Sequence, residues 1–171
     1  MADVPVELFR ACKKSAWSGN SNEAKAASFS SREGKGSLYP DYEGYTRKDG
    51  YVRPPDVTWF TDANGIAWIR GVEDKDSKGR FLVRKKEGVS VSTKLGGMGF
   101  EGRFYFLLPE GTPIPGGLDI LPTPTLSDDG HHSIRCLNLL RRDTYEGYLD
   151  NRARSALSKA VELKKQSLHF A

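Results

Sequence analysis

Hydrophobic and polar residues alternate in short bursts through the middle of the chain, then change to a helical spacing near its end. Val6-Glu7-Leu8-Phe9-Arg10-Ala11-Cys12 alternates imperfectly and predicts a first strand. Val57-Thr58-Trp59-Phe60-Thr61 is β-branched and aromatic. Asp62-Ala63-Asn64-Gly65 then supplies turn chemistry, and Ile66-Ala67-Trp68-Ile69 completes a hairpin. A charged turn from Glu73 to Gly79 follows, and Arg80-Phe81-Leu82-Val83-Arg84 is expected to pair back across it. Val89-Ser90-Val91-Ser92-Thr93 places valines on one face and small hydroxyls on the other. Arg103-Phe104-Tyr105-Phe106-Leu107-Leu108 is the most convincing strand, closed by Pro109-Glu110-Gly111-Thr112-Pro113. Leu118 to Leu121 and His132 to Leu137 predict two more.

From Tyr145 to Lys165 the apolar positions Tyr145, Tyr148, Leu149, Ala156, Ala160 and Leu163 recur at helical spacing. Asp143 is the expected N-cap, with Glu146 as its capping-box partner. Arg152, Arg154, Lys159, Lys164 and Lys165 sit mostly toward the later turns, where cations suit the helix dipole. Between the first strand and the hairpin, Ser15 to Gly36 is rich in Ser, Asn, Gly and Lys, with a weak helical pattern around Asn22 to Ser28. Tyr39 to Tyr51 carries four tyrosines and predicts an irregular, packed loop. These elements amount to one mixed α+β domain over residues 1–171, with a helix at its C-terminal end.

Composition narrows the class. Hydrophobic residues make up 37% and charged residues 28%, which suits a globular chain rather than a disordered one. No apolar run reaches the roughly 18–20 residues that span a bilayer. The first residues lack a basic region followed by an apolar stretch, so neither a signal peptide nor a membrane partner is expected and the expected location is cytoplasmic. The net charge of +4 permits a nucleic-acid partner without demanding one. Cys12 and Cys136 make neither a zinc cluster nor a disulfide framework, and are expected to be reduced and structural.

The familiar phosphate-loop, zinc-protease and nucleophile-elbow motifs are absent. Leu95-Gly96-Gly97-Met98-Gly99 is glycine-rich without a following helix pattern, and reads as a ligand-contacting loop or a flexible turn. His131 and His132 point to opposite faces of a strand, so one can face a cleft while the other faces solvent. Two adjacent histidines chelate poorly, and no metal is expected. They read as one functional imidazole or as ordinary loop-edge residues. Ser90, Ser92 and Thr93 can hydrogen-bond a ligand from a strand face, or simply mark a solvated one. Arg10 on a first strand needs an anion or carbonyl partner if it lies in a cleft; otherwise it is a rim charge. The aromatics with scattered basic residues suit single-stranded nucleic acid or an aromatic core.

Several segments occur in a telling order: Leu8-Phe9-Arg10-Ala11, Gly88-Val89-Ser90-Val91-Ser92, Leu108-Pro109-Glu110-Gly111-Thr112-Pro113-Ile114-Pro115, His132-Ser133-Ile134, Gly147-Tyr148-Leu149-Asp150-Asn151 and Arg154-Ser155-Ala156. In this the chain resembles the bacterial type VI secretion toxin family with an ADP-ribosyltransferase-like fold, best from Gly88 to Lys164. The resemblance implies a split antiparallel sheet with a cleft for NAD, which is the substrate. It implies that Arg10 holds phosphate or ribose, that Ser90 supports the nicotinamide ribose with Ser92 and Thr93 nearby, and that His132 takes the third role, with His131 the weaker choice. That third place usually carries Glu, and here no Glu stands there. The expected function is an intracellular ADP-ribosyltransferase-like toxin, delivered into target cells, acting on a macromolecular target and countered by an immunity-type partner. A non-catalytic binding protein that retains the fold is the first alternative. An RNA-binding or RNA-processing domain is the second.

Overall fold

The computed structural model describes residues 3–12, 38–97 and 104–170. Ser15 to Gly36, with its expected helical pattern, and Met98 and Gly99 lie outside the described residues. Eleven strands and one long helix are described: β1 (Leu8–Cys12), β2 (Tyr45–Thr46), β3 (Val52–Arg53), β4 (Trp59–Thr61), β5 (Ala67–Ile69), β6 (Val89–Ser92), β7 (Phe104–Leu108), β8 (Leu118–Pro122), β9 (His131–Cys136), β10 (Leu140–Arg141), α1 (Arg142–Glu162) and β11 (Leu168–Phe170). The largest sheet has the order β11-β7-β1-β6-β9-β8. A second joins β10, β5 and β4, and a third is the β2–β3 ladder. Every pairing among them is antiparallel.

Strand alternation explains why the sheet has two different faces. Leu8, Val89, Val91, Phe106, Leu108, Ile134 and Cys136 point one way. They form the main core with Tyr145, Leu149, Ala153 and Ala156 of α1, together with Leu38, Val57 and Ile69. Phe9, Tyr105 and Leu107 point the other way and form a smaller cluster that includes Ala160. Gly88 permits the close approach of β6 to β9, because a Cβ there would lie 2.2 Å from the Ile134 carbonyl oxygen.

The hairpin forms as the sequence predicts. Asp62 Oδ1 accepts the N–H groups of Asn64 at 2.8 Å and Ile66 at 3.0 Å, and Gly65 takes φ 79°. Three expectations are corrected. Arg80 to Arg84 forms no strand: Phe81 makes one isolated bridge to Lys75, while Asp76 captures the N–H groups of Lys78 and Arg80 and closes a local turn. The helix runs from Arg142 to Glu162, three residues earlier than expected at each end. Its N-cap is Arg141, without a side-chain cap, because β10 leads straight into it; Asp143 instead sits in the first turn. One short strand follows this C-terminal helix. Lys164 takes φ 55°, Lys165 N–H reaches the Ala160 carbonyl at 2.8 Å, and the reversed chain adds β11 to the edge of β7.

Candidate active site

Three central strands, β1, β6 and β9, lie side by side, and they carry the candidate residues. Arg10 is half-buried on β1. Its Nη1 donates to the Ser90 carbonyl at 2.8 Å and its Nη2 to the Tyr39 carbonyl at 3.4 Å. Carbonyl partners of this kind let a cation sit away from bulk water at a strand centre. Tyr39 is anchored in turn, since its hydroxyl donates to Asp150 Oδ1 on α1 at 2.8 Å.

The register sorts the candidates by face. Phe9 lies opposite Ser92, so Arg10 shares a face with Val91; Val91 lies opposite His132. Arg10 and His132 therefore share one face, flanking Val91. Ser90 lies opposite Ser133 and Ser92 opposite His131, so these four share the other face. The structure brings the backbone of Ser90 to Arg10 but directs the Ser90 hydroxyl away from it.

His132 is buried. Its Nδ1 lies 2.9 Å from the Gly130 carbonyl, a geometry in which Nδ1–H donates and Nε2 keeps the lone pair. His131 Nδ1 lies 2.8 Å from the Thr123 hydroxyl and 3.0 Å from the Thr123 carbonyl. Burial, the largest influence, holds the His131 imidazole below its ordinary pKa, against the opposing hydrogen bond to Thr123. The Thr123 hydroxyl also meets Ser133 Oγ at 2.7 Å. Ser92 is fully buried and its Oγ accepts Lys94 N–H at 3.1 Å. Thr93 is exposed, with its N–H donating to the Gly130 carbonyl at 3.1 Å. Glycine at position 130 lets Thr93 sit close, because a Cβ there would lie 2.1 Å from Thr93 Oγ1 and turn that hydroxyl aside.

Residues 6–161 match the family model described as Tse2 ADP-ribosyltransferase toxin. The chain belongs to this toxin family. No curated protein matches it by sequence. Membership in the Tse2 family, the antiparallel sheets and the late helix agree on an α+β, ADP-ribosyltransferase-like fold.

Membership in the Tse2 family also frames what sequence reasoning missed. Tyr39, Thr123 and Gly130 each hold a candidate side chain in place. Gly130 was the one legible signal, as a glycine directly before a strand. Thr123 acts across a hairpin loop, and no local pattern marks it. Among the described residues no group of three or more His, Cys, Asp or Glu side chains could hold a metal ion. No helix among them is long and apolar enough to cross a membrane. Cys136 is free and buried, and burial pushes its thiol up to about 12, so it remains a thiol at neutral pH.

Proposed function

We propose that this Tse2-family protein is an intracellular toxin that breaks the nicotinamide–ribose bond of NAD. Nicotinamide leaves with the bonding electron pair, and ADP-ribose passes to a nucleophile on a macromolecular target or to water. The nucleophile forms the new bond at the same ribose carbon and gives up its proton to a base. His132 takes that proton at Nε2, the nitrogen left with a lone pair by the bond from Nδ1 to Gly130. Arg10 holds phosphate or ribose. Ser90 acts through its carbonyl, which holds the Arg10 guanidinium, and Ser92, Thr93 and His131 lie along the same strands. The observation that carries the reading is the Arg10 contact to the β6 backbone beside β9, in a chain matched to this family over residues 6–161. In the producing cell, an immunity-type partner neutralises the activity.

A non-catalytic NAD-binding role is the second reading. The opening of β9, Gly130-His131-His132-Ser133, carries no carboxylate, and losing a placed charge of this kind can cost orders of magnitude in rate. Induced expression of wild type, Arg10→Ala and His132→Ala in a sensitive host separates the two. Growth arrest relieved by both substitutions, at equal protein level and with NAD followed alongside, supports the toxin. A harmless wild type that still binds NAD supports the second reading.

A further inference from the structure

Ser92, His131 and Ser133 on one face of β6 and β9 have partners, but the turn that enters β9 holds a group that does not. Asp128 is 3% exposed. Its Oδ1 accepts the Gly130 N–H at 3.0 Å, while its Oδ2 is buried and has no hydrogen-bond partner among the described residues. A bare buried carboxylate oxygen costs stability, because its hydration is lost and nothing replaces it. The turn does not require that oxygen, since one acceptor suffices for the Gly130 N–H.

The carboxylate stands beside candidate residues. A Cβ on Gly97 would lie 2.8 Å from Ser92 Oγ and 3.2 Å from Asp128 Oδ1. A Cβ on Gly130 would lie 2.1 Å from Thr93 Oγ1 and 3.5 Å from Asp128 Oδ1. Two glycines thus let the backbone pack closely against one carboxylate and two hydroxyls. An unpartnered carboxylate oxygen offers an acceptor, which a ligand hydroxyl can meet as donor.

We propose that Asp128 is a substrate-binding residue whose Oδ2 accepts a hydrogen bond from a ribose hydroxyl of the dinucleotide. This rests on the NAD reading above. The bond to Gly130 fixes the carboxylate in advance, so little ordering is lost when the sugar binds.

The test is calorimetric binding of NAD, nicotinamide mononucleotide, AMP and nicotinamide to wild type, Asp128→Asn and Asp128→Ser. Both variants keep an acceptor for the Gly130 N–H and remove Oδ2. The expected result is a loss of NAD affinity of about 10- to 100-fold in both. Either the mononucleotide or AMP loses affinity in parallel, which marks the ribose involved. The thermal midpoint without ligand stays level or rises, the sign of a charge kept for binding rather than for folding. Unchanged NAD affinity in both variants, or a loss confined to nicotinamide alone, overturns the proposal. A wild type that binds no NAD overturns the parent reading, and this proposal with it.

Discussion

The β8–β9 strands and the seat of α1 treat buried polar groups in different ways. On the β6–β9 face, Thr123, His131 and Ser133 form one connected set, and Ser92 caps the Lys94 N–H. Under α1 two buried side chains stand apart from any such set. Arg152 is completely buried, and among the described residues none of its three guanidinium nitrogens has a hydrogen-bond partner; the Tyr145 hydroxyl, two turns earlier, has none there either. Burial pushes Arg152 down to about 10 and the Tyr145 phenol well above its ordinary value. A satisfied polar network fixes geometry, whereas an unpartnered buried charge costs stability. The contrast separates a connected polar set around Thr123 from two unpartnered groups in the seat of the helix.

Arg152 carries the largest expected effect. Arg152→Met keeps the length and removes the charge, and should stabilise the protein by about 1–4 kcal/mol. That shifts the thermal midpoint upward by about 2–4 °C per kcal/mol. A destabilised variant would show that the guanidinium has a partner and would erase the contrast. Thr123→Val should move stability the other way, by about 1–3 kcal/mol, since it removes the hydroxyl that Ser133 shares and leaves His131 only the residue 123 carbonyl. Denaturant unfolding of both variants checks the opposite signs directly.

Lys164 offers a smaller, independent check at the end of the same helix. It occupies a left-handed position with φ 55°, where glycine is the unstrained choice. Lys164→Gly should add about 1 kcal/mol of stability. No gain would mean that the reversal into β11 holds that residue at no cost.

The smallest effect is a pH dependence. The folded-state pKa of His131 is lowered, so the unfolded chain binds the proton more readily. Stability from this group is therefore present above the unfolded value near 6.5 and declines as pH falls from there toward the folded value. His131→Gln should flatten the melting temperature across that acidic window. An unchanged slope would show that His131 does not set it.

The strands were legible where alternation and turn chemistry coincided, as from Trp59 to Ile69 and from Phe104 to Leu108. The helix was legible from its period, but not the burial of Arg152. That position fits the core stripe with Tyr145, Leu149 and Ala156, yet its charge suggested an outward face. Lys164 and Lys165 fall after the last helical turn for a related reason, since the chain reversal there lacks a glycine. In the site, Arg10, Ser90 and His132 were legible as residues on neighbouring strands. Their division between two faces was not, because it depends on the register of β1 against β6 and of β6 against β9. Likewise, the partner of Thr123 becomes visible only once β8 and β9 are paired.

The most direct test of the NAD-cleaving site is nicotinamide release from NAD by purified wild type, Arg10→Ala, Ser90→Ala and His132→Ala, each shown to be folded. Ser90→Ala keeps the carbonyl that Arg10 grips, so it reports on the hydroxyl alone. The account predicts release by the wild type and a loss of at least about 100-fold in Arg10→Ala and His132→Ala. Release that continues unchanged in both, or none from a folded, growth-arresting wild type with its target supplied as sensitive-host lysate, would contradict it.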